Sequence, residues 1–470
     1  MSSVSTADSA GMTAKLARFV ERATFADLPL ATIENAKLAI LDTLACALAA
    51  SRFPVGTIMI DHVRETGAPG RATVWPAGYR TAPSLAAWAN GHLANAVDYD
   101  ISLHLDTHVA PAAFAVAEQQ RVDGRSFLAA YIAGREVGAR LMKALDGQRV
   151  KGRGVSHRGW WHVGLVAPLD AAAVAARLLG LDDGGIATAM GIASVSAGGF
   201  RRNLGTMAKS LGSAKGARDG VDAAFLARRG FTAEPAILEA PMGLIETLCP
   251  AGEFDSDALL SGLGTHYELE AAPKCKPFPA CGPANPQIDA LLELQRAEHL
   301  DPLQVERVVA NFHSHSLLRP QARDQIEAGF STPYVIAVTL TDAAFGLRQL
   351  GNDRVQDPAV RALMERIAND PEAPDGRVTV TMRDGRTLVT ETTTRRVLSN
   401  WDEVATKFDE SAETCMSSGA AGEVKDALAR LESAADVSEI MGILYSGTTA
   451  TSVRSRIVAD AASGSANEKN

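Results

Sequence analysis

The sequence predicts a mainly α fold in two domains, and three observations carry that expectation. The chain has 470 residues, more than one compact core usually holds. From Thr13 to about Leu263 it is a succession of alanine-rich segments with helical spacing. A proline cluster and an alternating two-strand pattern then interrupt that texture.

The elements follow in order. Leu16, Phe19 and Val20 share one helical face, and "IENAKLAILDTLACALAAS" places Ile33, Ala36, Ile40, Leu41 and Leu44 at helix spacing. "SLAAWANGHLANAV", "FLAAYIAGREVGARLM", "DAAAVAARLLG" and "GVDAAFLARRG" repeat the theme, each ended by glycine or a polar turn. Alanine favours helix and lets helix axes approach. "AAPKCKPFPACGPANP" then carries five prolines in sixteen residues, which breaks helix and reads as a domain crossover. A helix ("QIDALLELQRAEH") and a β-like run ("VERVVANFHSH") come next. In "RVTVTMRDGRTLVTETTT", two alternating runs flank Asp384-Gly385, a favoured tight-turn pair. Residues 273–405 therefore read as a smaller α+β domain. Helix returns in "NWDEVATKF", "VKDALARLESA" and "VSEIMGIL", and 463–470 is a polar tail.

Composition narrows the function. Hydrophobic residues make up 46% and charged residues 21%, an ordinary soluble balance. The net charge is −9 with no basic block, so nucleic acid is not an expected partner. No run of about 18 apolar residues and no signal-peptide core is present, so neither a membrane span nor export is expected. Five cysteines without a C-x-x-C pair argue against a disulfide framework and a structural zinc site, and fit a reducing cytoplasm.

Four stretches could carry chemistry. "DYDISLHLDTHVAPAA" gathers Asp98, Asp100, Ser102, His104, Asp106 and His108. Three readings stand: a metal site (although H-x-x-x-H lacks the glutamate of H-E-x-x-H), a helix-capping loop, or acid/base chemistry by a histidine set by a carboxylate. "GWWHVGLVAPLDAAAVAARLLG" puts His162 before a run of small residues, with His157 five positions earlier; read alone, His162 is a core-edge residue or a catalytic group at a pocket. "GFRRNLGTMAKSLGSAKGARDG" contains Arg201, Arg202, Lys209, Lys215 and Arg218 but no phosphate-loop or dinucleotide glycine pattern. It reads as a carboxylate-holding lysine among small residues, or as a surface basic patch. "KCKPFPACGPANP" holds Lys274, Lys276, Cys275 and Cys281 in a proline-stiffened frame; a reactive thiol there needs a low pKa and access.

Taken together, in this order, these stretches resemble the MmgE/PrpD family. The resemblance runs from about Ala14 to Gly442, and "GHLANAVDYD…H", "GWWH", "GTMAKSLGSAKGARDGVDAAFLARRGFTAEPAILEAPMGL", "KPFPACGPANPQIDA" and "EAGFSTPYVIAVTLTDA" carry it. It implies a large all-helical domain built from both chain ends, 1–272 and 406–462, with 273–405 as an α+β lid and the active site between them. It also implies a homodimer acting on small di- or tricarboxylates without an obligatory metal or other cofactor. The family positions fall on Asp98, Ser102, His108, His162, Lys209 and Lys276. Several neighbours depart from the family pattern. Gly164 stands where a hydroxyl is common, Gly212 and Asn285 where histidines are common, and Ile101 where a second acid is common.

The expected chemistry is proton transfer at a carbon next to a carboxylate. Lys209 and Lys276 would hold carboxylates and absorb enolate charge, His108 and His162 would serve as base and acid, and Asp98 would orient or polarise one of the two histidines. Ser102, Arg202 and Cys281 are expected to touch substrate. The leading expectation is a dehydratase-type carbon–oxygen lyase. The alternatives are an epimerase of an amino- or imino-dicarboxylate and a decarboxylase of cis-aconitate type.

Overall fold

The computed structural model describes residues 11–101, 103–146, 154–392 and 394–448. The N-terminal part is a packed set of helices. α1 (Met12–Arg22) is amphipathic and buries Leu16, Ala17 and Val20. α2 (Leu30–Ala50) is apolar on nearly every side and lies inside the domain, as such a sequence requires. α3 (Pro54–Thr66) begins on a proline at its first turn, where the missing N–H costs nothing.

A short antiparallel hairpin follows, β1 (Ala72–Val74) with β2 (Tyr79–Thr81). This is a departure in detail from a purely helical reading, because three-residue strands leave no alternation to detect.

The centre is formed by α4 (Pro83–Ala96), α5 (Asp106–Gln120), α6 (Gly124–Leu145), α7 (His162–Leu178), α8 (Asp183–Ala193) and α9 (Leu211–Arg228). α7 packs along α9 more extensively than any other pair of elements. Gly216 and Gly220 allow it: a Cβ on either would lie 2.3 Å from the Ala167 Cβ or 2.6 Å from the Ala171 Cβ. The alanine run seen in the sequence is thus the groove for its neighbour. Trp75, Phe114, Phe127 and Tyr131 supply bulk to the core.

α10 (Leu244–Leu248) and α11 (Ser256–Leu260) lead to the proline-rich crossover. α12 (Asn285–Glu298) then packs against a four-stranded sheet of order β4-β3-β5-β6. β3 (Val305–Ala310) pairs antiparallel with β5 (Arg377–Met382), which pairs antiparallel with β6 (Thr387–Glu391) through the Asp384-Gly385 turn. Val378, Val380 and Met382 face inward, as their alternation requires. Between β3 and β5 come α13 (Ser314–Leu318), α14 (Gln325–Phe330), α15 (Thr332–Asp342), α16 (Asn352–Val355), α17 (Pro358–Met364) and β4 (Ile367–Asn369), the last parallel to β3.

The chain then returns to the first helices. α18 (Trp401–Ala412) and α19 (Ser418–Ala429) pack on α2, and α20 (Ser438–Gly447) on α5. A buried ion pair marks the return: Lys407 Nζ on α18 lies 2.6 Å from Asp42 Oδ1 on α2. It also donates to the carbonyls of Tyr99 (2.6 Å) and Lys276 (3.2 Å). Among the described residues no single helix is long and apolar enough to cross a membrane.

Candidate active site

The site begins in the loop after α4. Asp98 and His104 both have positive φ, 53° and 61°. Aspartate and histidine tolerate this left-handed region better than most residues, and such strain concentrates where geometry is held for a purpose. The two turns fold the loop back so that Asp98, Asp100 and His104 converge.

Asp98 is gripped by two buried ammonium groups. Lys209 Nζ donates to Asp98 Oδ1 (2.6 Å) and to the Asn95 carbonyl (3.3 Å). Lys276 Nζ lies 3.0 Å from Asp98 Oδ2 and donates to the Asp98 carbonyl at 2.7 Å. Burial by itself raises a carboxyl, but Lys209 and Lys276, with His104, reverse this and hold Asp98 well below the usual carboxylate range. An ammonium has three donors, so each lysine keeps one N–H beyond these contacts.

His104 forms a dyad with Asp100, its Nδ1 lying 2.6 Å from Asp100 Oδ2. The Asp100 carboxyl also lies below its ordinary value: burial raises it, and His104 outweighs that. An ionised Asp100 only accepts, so it fixes the imidazole proton on Nδ1 and leaves the Nε2 lone pair free. Nε2 lies 3.7 Å from Asp98 Oδ1. Burial lowers the His104 imidazole from its ordinary value, and the pull of Asp100 does not cancel that shift. His104 is therefore held in one orientation, with its imidazole biased toward the neutral form.

Asp98, Asp100 and His104 also carry potential metal ligands within 4.8 Å of one another. The donor set is ill suited to a cation. Both Asp98 oxygens already face ammonium groups, and His104 Nδ1 is committed to Asp100.

His162 opens α7, with Trp161 as its cap. Its Nδ1 lies 3.2 Å from Ser156 Oγ and 3.6 Å from Asp146 Oδ2. The strand-like pairing of 159–161 with 199–201 fixes this entrance, through Trp161 N–H to Gly199 O and Arg201 N–H to Gly159 O, both 2.9 Å. Pro168 has no N–H to give its helix, so the Gly164 carbonyl is available and accepts from Gly198 N–H at 2.9 Å. The same contact explains Gly164, where a Cβ would lie 2.3 Å from Gly198 O. At Gly212 a Cβ would lie 3.0 Å from Trp161 Cδ1, so the indole fills the room a side chain there would need. Asn285, the third departure, is buried and donates to the Ala280 and Cys281 carbonyls, a brace for its own turn.

These groups line a cavity of about 160 Å³, shared between helical and α+β parts. That is small beside the ~300–1,000 Å³ of drug-sized sites and suits a compact ligand. Asp98, His104, Trp161, His162 and Lys209 face Lys276, Cys281, His315 and Arg395. Burial, with Asp98 beside it, pushes the Cys281 thiol up to about 12, so it is not a thiolate. Burial and Arg201 push His315 down to about 4.

The cavity thus brings together Asp98, His162, Lys209, Lys276 and Cys281. Two residues expected at the site do not line it. His108 does not reach the cavity: it lies on the first turn of α5, fully buried, with Nε2 2.9 Å from Asp170 Oδ2 on α7. His104, one turn earlier in the loop, stands at the cavity instead. Arg202 is exposed, because the tight turn Arg201–Asn203 sends its side chain outward. The arginine of the cavity wall is Arg395. Ser102 lies outside the described residues. His157 and Lys274 are exposed, and Asp106 is held by Arg135 and Tyr131 inside the core. His315 and Arg395 carry no local sequence signal beyond the histidines of "NFHSHS" and the arginines of "TTTRRV"; only the fold brings them in.

Comparison with known proteins agrees with this architecture. The MmgE/PrpD N-terminal domain matches residues 14–257, and the MmgE/PrpD C-terminal domain matches 278–433. The chain is 26% identical to the cis-aconitate decarboxylase-like protein oryM of Aspergillus oryzae, over 92% of this chain and 97% of that one. It is 26% identical to a cis-aconitate decarboxylase of Aspergillus terreus (92% and 96%) and 26% identical to cis-aconitate decarboxylase of Homo sapiens (82% and 84%). With both domain models matched in order across most of its length, the chain belongs to the MmgE/PrpD family.

Proposed function

We propose that the protein is a lyase of a small di- or tricarboxylate that works by moving a proton at the carbon next to a carboxylate. One observation carries the reading: a histidine biased toward its neutral form, oriented by Asp100, presents Nε2 beside two buried ammonium groups. A C–H next to a carboxylate is poorly acidic, and its removal needs both a base and cations at the developing enolate. Lys209 and Lys276 each offer one remaining N–H to a substrate carboxylate, and Asp98 keeps both in place.

His104 Nε2 takes the proton, and the electron pair moves into the carboxylate as an enolate. In the carbon–oxygen lyase reading that pair returns to form C=C, the bond to the β-hydroxyl breaks, and His162 supplies the proton that lets it leave as water. The depressed His104 favours this order, since the imidazole is ready to accept a proton rather than to give one. A second reading, carboxylate loss, is favoured by the names of the relatives. There the C–CO₂ bond breaks, its electron pair passes into the conjugated carboxylate, and a histidine protonates carbon.

The test is turnover of a panel of hydroxy-di- and tricarboxylates and cis-aconitate in deuterated water. New alkene absorbance with water loss supports the first reading. CO₂ release with one deuterium on carbon replaces it by the second. Deuterium exchange with no bond cleaved replaces both by epimerisation. No exchange and no turnover on any member of the panel overturns the proton-transfer reading altogether.

A further inference from the structure

Arg395 is the least accounted-for cation of the cavity. Its Nε and Nη2 are buried, and neither has a hydrogen-bond partner among the described residues. These two nitrogens form one edge of the guanidinium, the edge that grips a carboxylate by two parallel N–H···O bonds. Among the described residues no carboxylate is paired with it, whereas the neighbouring Arg396 pairs with Asp289 at 3.4 Å and stacks on Phe278 at 5.0 Å. A guanidinium cannot escape burial by losing its proton, so a buried edge with nothing to donate to is costly until an anion arrives.

The backbone holds this edge in place. Cys275 and Leu398 form an isolated antiparallel bridge, with N–H···O distances of 3.2 and 2.9 Å. It ties the strand leaving the sheet to the proline-rich crossover, so Arg395 and Lys276 belong to one frame. Gly282 opens the space: a Cβ there would lie 2.9 Å from Arg395 Nη2. Lys209 and Lys276 each spend two N–H groups on Asp98 and Asn95 and keep one, whereas Arg395 keeps a whole guanidinium edge for another group.

We infer that Arg395 is the receptor for a second substrate carboxylate, remote from the reacting carbon, and sets the preference for substrates carrying it. The inference rests on the proposed polycarboxylate lyase and names the group that reads the far end of its substrate. Arg395 is a specificity residue: it binds substrate and takes no part in proton transfer.

The experiment measures binding of propane-1,2,3-tricarboxylate, and of its analogue with one terminal carboxylate replaced by an amide, by calorimetry. The full-length protein, Arg395→Gln, Arg395→Lys and His104→Gln are compared. The wild-type protein is expected to prefer the tricarboxylate by roughly 10–100-fold, the range of a charge-assisted bidentate contact. Arg395→Gln loses that preference, Arg395→Lys regains part of it, and His104→Gln keeps it. On a turned-over substrate Arg395→Gln raises KM far more than it lowers kcat.

A preference unchanged in Arg395→Gln overturns the inference. Should that variant fail to fold, a preference in Arg395→Lys equal to wild type overturns it instead, because an ammonium cannot make the two parallel bonds. Binding with the expected preference but no turnover on any substrate overturns the lyase reading and leaves Arg395 standing. Turnover with unchanged discrimination in the Arg395 variants does the reverse.

Discussion

Asp100–His104 and Asp170–His108 are built from the same parts. Each joins a buried carboxylate to an imidazole, at 2.6 Å in one pair and 2.9 Å in the other, and the two histidines are four residues apart. Their surroundings differ. His104 sits in the loop, in left-handed backbone, and lines the cavity, with its second nitrogen 3.7 Å from the Asp98 carboxylate that Lys209 and Lys276 grip. His108 is inside α5, its Nδ1 buried without a partner among the described residues and its carboxylate on the neighbouring helix α7. No wall of the cavity includes it. Gly138 seals the inner pair, since a Cβ there would lie 2.1 Å from Asp170 Oδ2. A carboxylate–imidazole hydrogen bond is thus not a catalytic signature by itself. What separates a proton-transfer group from a structural strut is whether the second nitrogen can meet a substrate.

Exchanging the two histidines for amides breaks the comparison most directly. His104→Gln is expected to lower kcat/KM by roughly 10²–10⁴-fold, the usual contribution of a positioned base, with little change in melting temperature. His108→Asn is expected to do the opposite. It leaves the buried Asp170 carboxyl without its partner and costs roughly 1–3 kcal/mol of stability, with kcat per folded molecule near wild type. Steady-state kinetics beside denaturant unfolding reads both. Loss of activity in His108→Asn at full stability would return the base to His108.

The confusion between these histidines shows where the sequence stops being informative. Helical spacing, the proline cluster and the Asp384-Gly385 turn are local signals, and the elements they mark are present. Asp98, His162, Lys209 and Lys276 are gathered by the family resemblance of the stretches that hold them, because no one stretch read alone distinguishes a site residue from a core-edge or surface one. His104 and His108 share such a stretch. Choosing between them needs the position where α5 starts and the sign of φ at residue 104, neither of which a histidine pair encodes. Arg202 misled for a similar reason: a single turn of backbone decides whether Arg201 or Arg202 faces inward. His315 and Arg395 come from segments far along the chain and reach the cavity only through the sheet and its return to α18.

Asp100→Asn sharpens the comparison at smaller amplitude. The amide keeps the shape but removes the charge that opposes the lowering of His104. A base must be unprotonated, so activity is lost as pH falls through the His104 pKa, and in wild type that acid limb lies below the ordinary histidine value of about 6.5. With Asp100 neutralised the imidazole binds its proton more weakly, so the limb moves to lower pH. A lower plateau, on the order of 10–100-fold, comes with it, because an amide no longer holds the proton on Nδ1. The pH profile of solvent deuterium exchange separates the limb from the plateau. A limb that moves to higher pH, or does not move, would show that Asp100 does not tune His104.

The smallest effect is expected at Cys281, and its smallness carries information. The thiol lines the same cavity as His104 and sits near Lys276, the kind of neighbour that activates a nucleophile. Here burial and Asp98 outweigh Lys276 and push it up to about 12. At pH 7 it is therefore a compact apolar wall group. Cys281→Ala removes one sulfur from a packed surface and is expected to change kcat/KM by no more than about threefold, with a modest loss of stability of about 1 kcal/mol. Alkylation by iodoacetamide should be slow at pH 7 for the same reason. A fall of 10²-fold or more in Cys281→Ala, or rapid alkylation protected by propane-1,2,3-tricarboxylate, would mean that the thiol takes part in chemistry. The site would then run on a covalent step rather than on proton transfer between histidines.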